Sequence, residues 1–125
     1  MPKGPEDKAK AKTLKRLREL GGWWYSVPRS RFGRAGIPDI MGCFCGQFIA
    51  LELKRFDGIG NYGATQVQIR MLEEITDAGG VAWLVAREET LERLIKILTV
   101  MRKARDSEDP QGWAASLEGQ GQQHV

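Results

Sequence analysis

Residues 36–54 read GIPDIMGCFCGQFIALELK, from Gly36 through Asp39 and Glu52 to Lys54. Ile49, Leu51 and Leu53 alternate with Ala50, Glu52 and Lys54. That period of two is a strand's, because successive side chains point to opposite faces. Glu52 and Lys54 therefore share a face, about 7 Å apart along the strand. Cys45-Gly46-Gln47 reads as a tight connection. The strand from Asp39 to Phe44 then folds back beside the second, which brings Asp39 towards Glu52. Two carboxylates and an ammonium converging at strand ends form a set that holds a divalent cation and a phosphate together.

The E-x-K triplet alone means little, since about 0.4 such triplets arise by chance in a chain of this length. Its surroundings strengthen it. It closes an alternating apolar strand, an Asp follows a proline one strand earlier, and glycine-rich loops lie on both sides. The bland alternative is a surface strand with an incidental ion pair. In the metal reading, Asp39 and Glu52 supply hard oxygen ligands for Mg²⁺, joined by a backbone carbonyl between Glu52 and Lys54, which is that of Leu53. Lys54 orients the attacking water and offsets developing charge.

Working outward, residues 1–5 carry two prolines and a glycine and are expected to be disordered. Residues 6–20 are rich in Lys, Ala, Leu, Arg and Glu and predict a helix with an apolar stripe of Ala11, Leu14, Leu17 and Leu20. Residues 23–27 predict a first strand, with Trp23, Trp24 and Trp83 read as core. Residues 28–37 form a loop with Arg29, Arg31 and Arg34, and 57–64 (DGIGNYGA) a flexible glycine-rich one. Thr65 caps a helix over 66–78 whose buried face is Val67, Met71, Leu72, Ile75 and Ala78. Residues 81–86 (VAWLVA) predict a strand buried on both faces. Leu91, Leu94, Ile95, Leu98 and Met101 predict a helix over 88–103. The polar remainder, 105–125, reads as a mobile tail with Trp113 and Leu117 as candidate anchors. The order of elements gives one α/β domain over 6–104, a mixed sheet flanked by helices.

The 125 residues, 42% hydrophobic and 28% charged, suit one soluble domain. No run is apolar enough to span a bilayer, and no apolar stretch follows the basic N-terminus, so neither a membrane span nor a secretory leader is expected. Cys43 and Cys45 sit two apart on one predicted strand, poorly placed to bridge, which favours a reduced, cytoplasmic setting. Net charge is +3, with the cations clustered. Lys and Arg crowd residues 3–18 and three arginines the loop before Asp39, the footprint expected for nucleic acid, although a solvated helix face explains the first cluster equally well. Arg55 beside the lysine joins the predicted DNA contacts, and Tyr62 is the loop's stacking candidate. Zinc is disfavoured: Cys43-x-Cys45 lacks a second pair and the single histidine is His124.

The combination of G-I-P-D at 36–39, the strand FIALELK at 48–54, a glycine-rich loop and Gln66 at a helix start resembles the VRR-NUC domain. This is the virus-type replication-repair branch of the PD-(D/E)xK nucleases. The likeness covers about residues 6–98, and AGGVAWLVARE at 78–88 is similar to the family's last core strand. It implies an αβββαβ restriction-endonuclease-like core and Mg²⁺- or Mn²⁺-dependent hydrolysis of DNA phosphodiesters. Asp39 and Glu52 would bind metal, Lys54 would be the catalytic lysine, and Gln66 would support the site. An acidic residue of the first helix, best matched by Glu6 with Asp7 as the alternative, would approach the metal. Small stand-alone members of this kind are similar to phage enzymes acting as homodimers on branched DNA such as four-way junctions. Two departures stand out: Ser26-Val27-Pro28 where the family often has a basic residue, and Gly63 where a serine commonly precedes the helix glutamine by three. Two other readings share the fold: a non-catalytic DNA-binding subunit and a sequence-specific restriction-type nuclease.

Overall fold

The computed structural model describes residues 4–28, 33–57 and 63–108. Its elements run α1 (Pro5–Leu20), β1 (Trp23–Ser26), β2 (Ile40–Phe44), β3 (Gln47–Leu53), α2 (Gln66–Asp77), β4 (Val81–Val85) and α3 (Glu88–Glu108). The four strands form one sheet in the order β1-β2-β3-β4. The first two pairings are antiparallel and β3–β4 is parallel, so the sheet is mixed, with α2 as the crossover.

The turn between β2 and β3 sets the register. Cys45 and Gly46 both have positive φ, 50° and 77°, the requirement of a two-residue type I′ hairpin. Phe44 then pairs with Gln47 and Ile40 with Leu51. Cys45 thus lies in the turn rather than on the strand, and both cysteines carry free thiols.

The two faces of the sheet differ. One carries Trp24, Ile40, Phe44, Ile49, Leu51, Leu53 and Val85, and buries them against Leu14 and Leu17 of α1 and Leu91, Leu94, Ile95 and Leu98 of α3. This is the hydrophobic core. Arg102 of α3 donates to the Leu20 carbonyl at the end of α1 (2.8 Å), and Lys12 and Arg16 of α1 pair with Glu88 and Glu92 of α3. Part of the basic character of α1 is therefore engaged by acids of α3. Being exposed and screened by solvent, such pairs add little to stability. The other face carries Glu52 and is covered in part by α2.

Several expectations need correction. The apolar run at 81–85 is not buried on both faces, because β4 is an edge strand and Val81–Leu84 are half-buried. The strand enclosed on both faces is β3, buried throughout from Ile49 to Leu53. A continuous apolar run does not reveal which strand is central. Ala11 is exposed, and Ala9 instead joins Leu14 and Leu17. On α2 only Met71 is buried; Val67 and Ala78 face solvent, since the helix covers part of a sheet face. Trp23 is not core: it is 64% exposed while its neighbour Trp24 is buried, as alternation on an edge strand requires. Helix α3 continues to Glu108, so residues 105–108 belong to it and not to the tail. Helix-forming residues at 102–105 and an Arg102–Asp106 pair at i,i+4 extend it. Residues 109–125, with Trp113, Leu117 and His124, lie outside the described residues.

Gly42 lies opposite Trp24 on β1, and a Cβ there would stand 2.3 Å from that indole ring and 2.4 Å from the Trp23 carbonyl. Gly42→Ala is expected to lower unfolding stability by about 1–3 kcal/mol or more through overpacking. Urea denaturation at neutral pH measures the change.

Candidate active site

Continuing the β2–β3 register by one residue sets Asp39 opposite Glu52, on the sheet face away from the core. The Asp39 charge is felt at the Glu52 carboxyl. Asp39 is anchored twice. Its Oδ2 accepts from the Leu53 amide at 2.7 Å, and its carbonyl accepts from the Val27 amide at 2.8 Å. The residue bearing the third candidate ligand, the Leu53 carbonyl, is thus itself tied to Asp39. Pro38 before it is fully buried and restricts the backbone entering the site.

Glu52 is 3% exposed. Burial pushes its carboxyl up to about 8, with the Asp39 carboxylate and the more distant Glu6 charge acting in the same sense, and only the Lys54 ammonium opposing. Desolvation and a like charge both disfavour the ionised form. Lys54 Nζ stands 3.9 Å from Glu52 Oε1. Its amide donates to the Val85 carbonyl at 2.9 Å, which holds the end of β3 beside β4.

The glutamine that joins this cluster is Gln68, not Gln66. Gln68 Nε2 donates to Glu52 Oε1 at 2.9 Å, and its Oε1 accepts from Lys54 Nζ at 3.0 Å. That oxygen also accepts from the Thr65 amide at 2.9 Å, while the Thr65 hydroxyl accepts from the Gln68 amide at 3.2 Å. Together these bonds are a capping box. Gln66 is exposed, two residues and about 200° of helical rotation away. The signal was present in the sequence: Thr65-x-x-Gln68 is a T-x-x-Q box, which marks Gln68 as the residue reaching back over the helix start. The residue three before Gln68 is Thr65, which carries a hydroxyl, whereas the residue three before Gln66 is Gly63.

Asp39, Glu52 and Gln68 open onto a cavity of about 450 Å³, also lined by Glu6, Pro38 and Arg34. Glu6, in the first turn of α1, faces this space, and its charge is felt at both Glu52 and Arg55. Asp7 is exposed. Among the described residues no three His, Cys, Asp or Glu side chains gather tightly enough to hold an ion by themselves. Two carboxylates, Asp39 and Glu52, are close together here, with Glu6 on the same cavity. Of the predicted DNA contacts, Arg34 pairs with Glu74 of α2 at 3.0 Å and Arg55 with Asp57 at 2.6 Å. Arg29, Arg31 and Tyr62 lie outside the described residues.

No protein-family model matches the sequence, and no curated protein matches it. Among solved structures, one described as a VRR_NUC domain is similar, with TM-score 0.63 and 23% identity over 75% of this chain and 97% of that one. The fold is that of a VRR_NUC domain, an α/β architecture with a mixed four-stranded sheet flanked by helices. No helix among the described residues is long and apolar enough to cross a membrane.

The Glu52 shift fixes the sign of a pH dependence. Its folded pKa lies above the ordinary 4.5, at about 8, so its contribution is complete below about pH 4.5 and is lost as pH rises towards 8. With EDTA present, the protein is expected to lose on the order of a few kcal/mol between pH 5 and 8 relative to Glu52→Gln. Urea unfolding at both pH values tests this, and parallel pH profiles for the two proteins would contradict it.

Proposed function

We propose that the protein is a divalent-metal-dependent DNA endonuclease, selective for branched DNA such as four-way junctions and active as a homodimer. The observation carrying this reading is the Asp39–Glu52 pair at the floor of a cavity, Glu52 buried and Asp39 half-buried, with the Lys54 ammonium bound to the same glutamine as Glu52. A fold has little structural reason to bury one carboxylate beside another, because the neighbouring charge and desolvation both oppose its ionised form. A cation relieves both costs, so the donor set fits Mg²⁺ or Mn²⁺, which prefer hard oxygens and keep several waters. Asp39 and Glu52 would hold the ion, with the Leu53 carbonyl between Glu52 and Lys54 as the backbone ligand and Glu6 approaching from α1. When bound, such an ion supplies positive charge against phosphoryl oxygens and lowers the pKa of water.

The chain's own residues perform the remaining tasks. The Leu53 amide orients the Asp39 carboxylate through its 2.7 Å bond. The Gln68 amide sets the rotamers of Glu52 and Lys54 together, using one end for each. Lys54, held at the mouth of the acid pair, orients the attacking water and offsets charge developing on the phosphate. Arg34, ion-paired with Glu74, and Arg55, ion-paired with Asp57, are the described residues of the proposed contacts to the DNA backbone, with Arg29 and Arg31 completing the set. The branched-DNA preference and the homodimer rest on the family resemblance. The non-catalytic alternative is disfavoured because a pure binder gains nothing from carboxylates placed beside phosphate.

Cleavage of four-way junction, flap, single-stranded and plain duplex DNA with Mg²⁺ or Mn²⁺ tests the reading. Asp39→Ala and Lys54→Ala are each expected to lower turnover at least about 100-fold. Gln68→Ala is expected to lower it about 10- to 100-fold, the usual cost of losing a residue that orients metal ligands, while Gln66→Ala changes it less than about twofold. Salt-dependent binding without turnover in the wild type would favour the non-catalytic reading.

A further inference from the structure

The sheet face that carries the acid pair does not end there. Along it, Val27, Asp39 and Glu52 form one cross-strand row, Tyr25, Met41 and Ala50 the next, and Trp23, Cys43 and Phe48 a third. Rows follow one another at about 7 Å, two residues along a strand. The candidate site and the last two rows are thus one continuous surface. Helix α2 covers its β3–β4 side, and the β1–β2 side is open: Trp23 and Tyr25 of β1 are 64% and 44% exposed, and Phe48 at the start of β3 is 45% exposed. The Trp23 and Tyr25 rings stack, with centroids 6.1 Å apart and planes within 6° of parallel.

We propose that the Trp23–Tyr25 pair is a stacking platform for unpaired nucleotides of the substrate, beginning about one row from the phosphate held at Asp39 and Glu52. The inference rests on the nuclease reading and names the substrate element that this face selects. Three features support it. Exposed apolar patches of this kind mark binding surfaces, and parallel rings offer π faces that any base accepts. The two rows contain no charged side chain, so nothing repels a nucleic acid passing over them. Cations stand at both ends. Lys10 donates to the Val27 carbonyl at the site end (2.8 Å), and the Arg105 guanidinium packs by Gly46 at the turn end. Bases paired in a duplex are stacked on each other and cannot reach the rings. The platform therefore favours DNA with unpaired nucleotides beside the cut, as flaps and opened junctions provide.

The experiment measures binding of the full-length protein, in EDTA, to a labelled oligothymidylate, to its duplex and to a strand of the same length built of abasic residues. Trp23→Leu is expected to weaken the oligothymidylate complex about 5- to 100-fold and the duplex much less, with Trp23→Phe falling between. Wild-type protein should bind the abasic strand more weakly than the oligothymidylate by a similar factor, a comparison that needs no variant to fold. Equal binding of those two strands overturns the proposal, as does an equal loss on single strand and duplex. A dimer in sedimentation that Trp23→Leu dissolves also overturns it, since the face would then hold a second copy of the chain. Failure of the nuclease reading is separate: the wild type would discriminate the two strands yet cut no DNA with Mg²⁺ or Mn²⁺.

Discussion

Two carboxylates face each other across a β-hairpin, and one of them is almost sealed from water. Left alone, that arrangement is unfavourable, and much of the surrounding structure serves to hold it. The Leu53 amide and the backbone pairing with Val27 fix Asp39. Gln68 and Lys54 face Glu52. Both strands are kept in register by the Cys45–Gly46 turn, because a slip of one residue would send Glu52 into the hydrophobic core and Leu51 or Leu53 into the cavity. The chemistry of the site and the correctness of the hairpin are therefore one condition.

The sheet divides labour between its faces. The face under α1 and α3 carries the apolar mass that stabilises the domain. The face with Asp39 and Glu52 is only partly roofed, by a helix with a single buried residue, Met71. A site that binds a polymer must leave one side open, and here the open side is the β1–β2 half. The strained acid pair is tolerated because the packing that supports it lies on the other face, where Ile49, Leu51 and Leu53 are fully buried within the same strand.

Much of this was legible in the chain. Alternation in Ile49–Lys54 identified β3 and the face of Glu52, the glycine-containing turn identified the hairpin, and the spacing of Leu91, Leu94 and Leu98 identified α3. These signals are local, and a period of two or 3.6 survives any tertiary arrangement. What was not legible depends on the neighbours of each strand. VAWLVA and FIAL are similarly apolar, yet only β3 is central, because strand order is set by topology. The exposure of Trp23 follows from β1 being an edge strand, which the two tryptophans in succession do not reveal. Gln66 stood nearer the start of its helix, but helical rotation and the Thr65 cap turn Gln68 towards the site. The reach of Glu6 into the cavity required the angle at which α1 crosses the sheet, which no pattern within α1 encodes.

The double duty of Gln68 carries one more implication. At the third position of a capped helix, glutamate serves as well as glutamine, and a substitution judged on α2 alone would pass as harmless. Here it would set a third negative charge against Glu52 and remove the N–H that Glu52 accepts, leaving Lys54 to balance the whole group. The choice of amide over acid is dictated from outside the helix. A residue that looks like interchangeable local grammar is, in this protein, the point at which the secondary structure and the chemistry constrain each other's vocabulary.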